Sequence, residues 1–152
     1  VVKHCLDFYK AKGEHYHIIL LLQPTTPFRT VDTIDQSLTI LKNDTTHTSV
    51  VSVVDVEGNH PCRMKLIKDD MLINYEDKET EDMRPRQELP KVYLRNGSLY
   101  LTSTENIENG NVVGSLQKPV IMDNLLSVNI DSNIDFIIAE NFKDEFLEIK
   151  DY

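Results

Sequence analysis

Two short hydrocarbon runs with a helical stretch between them constrain this chain more than any other feature. Ile18-Ile-Leu-Leu-Leu22 is apolar at every position. Both faces of such a strand call for cover, the pattern of the buried centre of a helix-covered sheet. The second run, Ser49-Val-Val-Ser-Val-Val-Asp55, is rich in β-branched residues that suit a pleated surface. Between them Val31, Ile34, Leu38 and Leu41 recur at helical spacing, behind Thr30 and Asp32 as opening residues. Strand, helix and strand of these lengths predict a βαβ unit and a sheet that is at least partly parallel, so the fold class is α/β.

The rest of the chain reads around that unit. Val2, Cys5, Leu6 and Tyr9 share one face of an N-terminal helix that stops at Gly13. From Glu57 to Arg95 the pattern breaks into short pieces punctuated by Gly58, Pro61, Pro85 and Pro90, which predicts an arm or extended hairpin over 60–95. Strand character returns at Ser98 to Thr102 and Pro119 to Met122, with a short helix or turn over Glu105 to Asn109. Ser127 to Asp131 reads as a further strand. Ser132 then caps a helix carrying Ile134, Ile137 and Ile138, with Asp135 in its first turn. At 152 residues this is one domain with a real core, or a large piece of one. Cys5 and Cys62 fit no metal or disulfide spacing and read as small buried hydrophobes. No apolar run reaches the roughly 18 residues of a membrane span, and no signal-like segment precedes the first helix, so the expectation is a cytoplasmic chain with no membrane partner.

The net charge of −9 excludes a nucleic acid as the main partner, because phosphate binding needs clustered Lys and Arg. The distribution of charge points elsewhere. Residues 60–95 hold eight of the sixteen Lys and Arg, including Arg63, Arg84, Arg86 and Arg95, against eight Asp and Glu. Arginine suits bidentate recognition of carboxylates and phosphates, so the segment is a candidate anion site. His4, His15, His17, His47 and His60 stand in no catalytic constellation, and neither a Ser-His-Asp nor a Cys-His arrangement is evident. The stretch Leu21-Leu-Gln-Pro-Thr-Thr-Pro-Phe-Arg29 is the sharpest signal. It follows the carboxyl end of a strand, where open α/β sheets line their ligand crevice. Gln23 would turn its amide into that crevice, and Arg29 would either orient the loop or serve in an ion pair. The chain opens in a helix, without the strand and Gly-rich loop with which doubly wound nucleotide-binding domains begin.

LLQPTTPFR resembles the LLQPTSPLR signature of the acylneuraminate (CMP-sialic acid) cytidylyltransferases. SVVSVVDVEGNHP at 49–61, PRQELPKVYLRNGSLYL at 85–101 and SVNIDSNIDFIIAE at 127–140 resemble three further motifs of that family, in the family's order. The resemblance implies transfer of CMP from CTP to a sialic-acid-like nonulosonic acid, with release of pyrophosphate. It implies a Rossmann-like nucleotidyltransferase sheet with helices on both faces and a projecting dimerisation arm at 60–95. Its expected partners are CTP, the sugar acid and a second copy of the chain. The family's first strand and Arg-x-Gly-Ser-Lys loop have no counterpart, so 1–152 is expected to be a partial domain, inactive alone. Carried over by the motifs, Gln23, Arg63, Arg86, Gln87 and Tyr100 would contact the sugar acid, and Arg86 and Asp131 would serve catalysis. The family's Asp-x-Asp metal pair becomes Asn129 and Asp131, which implies Mg²⁺ held by one carboxylate and one neutral amide. Val112 and Val113 fall where some members place an aromatic pair, which implies a roomier acyl pocket and a legionaminic-type sugar. Two alternatives stand beside this reading: a non-catalytic sugar-acid-binding or dimerisation module, and a cytidylyltransferase for another sugar acid such as Kdo.

Overall fold

The two hydrocarbon runs form strands, but they are not neighbours. In the computed structural model, which describes residues 1–43, 48–76 and 82–150, the elements run in chain order. They are α1 (Val2–Ala11), β1 (Ile18–Leu22), α2 (Val31–Asn43), β2 (Ser49–Asp55), β3 (Lys65–Lys68), β4 (Met71–Asn74), β5 (Tyr93–Ser103), α3 (Thr104–Glu108), β6 (Gln117–Ile121) and α4 (Asn133–Lys150). The chain divides into two compact units, Val1–Val54 with Arg95–Tyr152, and Asp55–Leu94.

The first unit is built on a mixed four-stranded sheet of order β1-β5-β2-β6. β1 runs antiparallel to β5, with Ile18 opposite Ser103 and Leu22 opposite Leu99. β2 runs parallel to β6, with Ser49 opposite Gln117 and Val53 opposite Ile121. The α/β class holds and the sheet is partly parallel as expected, with β5 lying between β1 and β2. It takes that place because it is the better central strand: Leu99 and Leu101 are fully buried within its eleven residues. β1 is consequently an edge strand rather than the buried centre, and Ile18 and Leu22 are 44% and 37% exposed. Uniform apolarity reported which residues seek cover, but it could not report which strand supplies it.

Val50, Leu99, Leu101 and Val120 form the sheet's core, against which Leu20 and the predicted α2 residues Ile34, Leu38 and Leu41 pack. Burying each large side chain there contributes about 1.5–3 kcal/mol. Thr30 caps α2 as expected, its hydroxyl accepting from Thr33 N at 3.3 Å. α1 ends in a Schellman turn: Gly13 N bonds Lys10 O and Glu14 N bonds Tyr9 O, each at 3.0 Å, with Gly13 at φ +82°. On α1 only Leu6 is buried. Cys5 is exposed, contrary to expectation, because the helix covers the unit through a narrower stripe than its apolar spacing suggested; Cys62 is buried as expected.

A second core joins the loop after β1 to α4. Phe28 meets Phe142 edge-on with centroids 5.6 Å apart and lies tilted on Phe146 at 5.1 Å. Val128 and Ile130 pack into the same cluster. Ser127–Asp131 is not the strand its alternation predicts. The chain turns in a 3-10 helix over Leu125–Ser127 and then runs extended without a ladder, tied by Ile130 N to Thr25 O at 2.8 Å. The alternation records one apolar face on α4's core, which an extended segment can satisfy without sheet partners.

The second unit covers most of the predicted arm, and residues 77–81 and His47 lie outside the described residues. β3 and β4 form a hairpin with Lys65 opposite Asn74 and Lys68 opposite Met71. Asp69 and Asp70, both at positive φ (50° and 61°), make the two-residue turn that matches strand twist.

Candidate functional site

The loop after β1 is held by one arginine. Arg29 Nε donates to Ser98 O at 2.8 Å, and Nη2 donates to Gln23 O at 2.8 Å and to the Thr26 hydroxyl at 3.2 Å. Partial burial among these neutral oxygens holds the Arg29 pKa below its usual value. Of the two roles the sequence left open, the arginine takes the orienting one, fastening the end of β1 to β5. Thr26, almost wholly buried, adds a bond from its hydroxyl to Gln23 O at 3.1 Å. The Gln23 side chain then lies over Gly97 of β5. A Cβ at Gly97 would collide with Gln23 Oε1 and come within 3.6 Å of its Cδ. The Asn-Gly bend, with Gly97 at φ +78°, is what leaves room for that amide.

The same loop carries the segment of Asn129 and Asp131. Thr25 O accepts from Ile130 N, while Val128 and Ile130 face the aromatic core. Asn129 and Asp131 therefore share the opposite side, as their i, i+2 spacing predicted, and Asn129 Nδ2 donates to Asp131 Oδ2 at 2.5 Å. Asn129 Oδ1 is buried with no partner. Two hard oxygens on one segment suit a magnesium ion that would draw its remaining ligands from outside the protein, and do not amount to a protein cage. Among the described residues no group of three or more His, Cys, Asp or Glu could hold a metal. Asp135 is committed elsewhere, accepting from the Ser132 hydroxyl at 2.7 Å and from Ser132 N at 2.8 Å. The Ser132 hydroxyl, helped by the backbone N–H groups of Asp131 and Ser132, lowers the Asp135 pKa.

Arg86 and Gln87 lie in the second unit, where both line a cleft of about 330 Å³ with His60, Glu57 and Lys91. His60 is buried and fixes the wall. Its Nδ1 accepts from Cys62 N at 3.2 Å, and its Nε2 is 3.1 Å from Pro90 O, so both ring nitrogens are engaged. Arg86 approaches Glu57 at 3.8 Å with both side chains about half exposed, a loose pair worth little on its own. A ligand carboxylate could take that place bidentately. Arg63 is exposed at the end of the 3-10 turn Pro61–Arg63 and does not line the cleft. Tyr100 sits on β5 opposite Leu21, half-buried, on the face away from Leu99 and Leu101. Sequence reasoning missed His60 and Lys91 as cleft residues. The His-Pro pair before a turn was the signal for the first, whereas Lys91 gave none.

The structure thus brings Gln23, Asn129 and Asp131 onto one loop assembly, and Arg86 and Gln87 into one cleft. Comparison with known proteins gives the chain a family relationship to the nonulosonic acid cytidylyltransferases. The relative that carries it is the CMP-N,N'-diacetyllegionaminic acid synthase of Legionella pneumophila, 32% identical over 136 residues, which cover 80% of this chain and 52% of that protein. No family model matches the chain. The chain spans about half the length of the curated relative it matches.

Proposed function

We propose that this chain contributes the sugar-acid and metal-facing part of an enzyme that transfers CMP from CTP to a nonulosonic acid. In that reaction the sugar's C2 hydroxyl oxygen attacks the α-phosphorus of CTP. An O–P bond forms, the bond to the β-phosphate oxygen breaks, pyrophosphate leaves and the hydroxyl proton passes to solvent. The observation that carries the reading is the bond of Thr25 O to Ile130 N, which joins the loop of Gln23 to the segment of Asn129 and Asp131. Gln23 would donate its amide to the sugar acid. Tyr100 is carried over by the family resemblance as a further sugar-acid residue of the first unit, and Arg86, Gln87 and Arg63 as those of the second, where Arg86 and Gln87 suit a carboxylate. Asn129 and Asp131 would hold Mg²⁺, which neutralises phosphate charge as the α-phosphorus is attacked.

A legionaminic-type acid is the favoured substrate, in line with the relative's name and the small Val112 and Val113. The enzyme would be a cytoplasmic homodimer on a Rossmann-like sheet, associating through the hairpin of β3 and β4. That hairpin leaves Ile67, Met71 and Leu72 from 67% to 78% exposed, and among the described residues no helix is long and apolar enough to cross a membrane.

The test is CMP-sugar formation by a protein containing this chain, offered CTP, magnesium and either sialic or diacetyllegionaminic acid. Arg86→Ala should raise the KM for the sugar acid, and Asp131→Asn should abolish most turnover. The neutral Asn129, bonded to Asp131 itself, favours one other reading, a non-catalytic sugar-acid-binding module. Sugar-acid binding lost in Arg86→Ala, with no product from the parent protein, would select it.

A further inference from the structure

Asn96 has every hydrogen-bonding position of its side chain in use, and it is 5% exposed. Its Oδ1 accepts from the Ser52 hydroxyl at 2.6 Å and from Ser98 N at 3.2 Å. Its Nδ2 donates to the Ser127 hydroxyl at 2.8 Å and touches Met122 Sδ at 3.2 Å. The two halves of the amide thus hold different things. The oxygen fixes the bend of β5 beneath Gln23 and ties it to β2. The nitrogen reaches the turn that leads into Asn129 and Asp131. Ser127 passes the restraint on, because its hydroxyl donates to Asp123 O at 2.7 Å. A buried amide with all of its capacity met rigidifies its surroundings, and losing one side of it leaves a group unsatisfied.

We propose that Asn96 is a positioning residue: through Ser127 it sets where Asn129 and Asp131 stand relative to the Gln23 loop. The role rests on the function proposed above only in what the positioned pair is for, since the tether itself is a statement about geometry. It predicts a split between the two halves of the amide. Asn96→Asp keeps both acceptor positions and turns the donor edge into an acceptor, which Ser127 can meet only by taking its hydroxyl proton from Asp123 O, so the β5 bend should hold while the 127–131 segment loosens. Ser127→Ala should do the same from the other end, with little harm to folding because Ser127 is only half-buried.

The experiment is amide hydrogen exchange on this chain, with Mn²⁺ binding by electron paramagnetic resonance as a second readout. In Ser127→Ala and in Asn96→Asp, Ile130 N–H should exchange at least about tenfold faster, while Leu99 and Leu101 keep their protection. The double variant should be no faster than the single ones, since both cut the same tether. Mn²⁺ affinity should fall in these variants, and in Asp131→Ala. Unchanged Ile130 exchange in both single variants overturns the proposal, as does loss of protection spread evenly over Leu99 and Leu101. If Asp131→Ala leaves Mn²⁺ binding intact, the metal reading fails instead, and the exchange result still decides the role of Asn96.

Discussion

Replacing Gly97 by alanine separates two effects that this site combines. The first is backbone strain. Gly97 sits at φ +78°, a left-handed conformation that costs an L-residue about 1–2 kcal/mol. For a chain of this size each kcal/mol lowers Tm by about 2–4 °C, so strain alone predicts a fall of about 2–8 °C. The second effect is steric. The new Cβ would collide with Gln23 Oε1 and stand 3.9 Å from Thr26 Cγ2. Oε1 is the end of a flexible side chain, so it moves aside at small energetic cost, but moving it takes the amide away from its place over β5. Gly13 supplies the control, because at φ +82° it meets nothing within 4 Å. Gly13→Ala should therefore lose similar stability, while Gly97→Ala should also shift the Gln23 side-chain amide resonances and weaken sugar-acid binding. Gly97→Asn completes the set: asparagine tolerates left-handed backbone, so stability should largely return while Gln23 stays displaced. Thermal unfolding followed by circular dichroism and side-chain amide NMR measure the two effects. If the Gln23 resonances in Gly97→Ala match those of the parent, the packing argument for this loop is wrong.

Leu101→Ala, at a fully buried core position, should cost about 2–5 kcal/mol in chemical unfolding with an unchanged m-value. Ser132→Ala should fray the start of α4. Because the Asp135 pKa is lowered from 3.8, the stabilisation is complete above that value and is lost as pH falls through the folded-state value. Helicity of parent and variant should therefore converge once the pH falls below the folded-state value, and a difference that grows on acidification would contradict the bond. Ile67→Lys with Leu72→Lys should convert the proposed dimer to monomer in light scattering, with the Tm unchanged. A parent that is itself monomeric removes the dimer from the proposal.

Most of the elements were legible because their periodicities are local. The helices over Val31–Asn43 and Asn133–Lys150 and the strands around Val50 and Leu20 follow from residue spacing and caps alone. Strand order was not legible. Nothing in Ile18–Leu22 says that its partner is β5, some eighty residues on, because pairing depends on which strands together close the core around Leu99 and Leu101. The same limit explains Cys5, whose position on an apolar stripe could not reveal how much of that stripe its neighbours would cover.

The segment of Asn129 and Asp131 shows how a wrong element can still give a right face. Alternation at Ser127 to Asp131 was read as a strand, and the backbone pairs with no ladder. Yet the period of two belongs to extended backbone, whether or not it is hydrogen-bonded in a sheet. Val128 and Ile130 turn to the aromatics of α4, so Asn129 and Asp131 must turn together to the other side. What holds that extended piece in place is polar and distant in sequence: Thr25 O on one flank and, through Ser127, the amide of Asn96 on the other. Asn-Gly at 96–97 is a turn signal in the sequence, but both residues lie inside β5, and only the positive φ of Gly97 marks a bend there. The role of Asn96 depends on Ser52, Met122 and Ser127 arriving around it from three other parts of the chain. A dipeptide signal cannot carry that information, whereas a buried amide with four partners does.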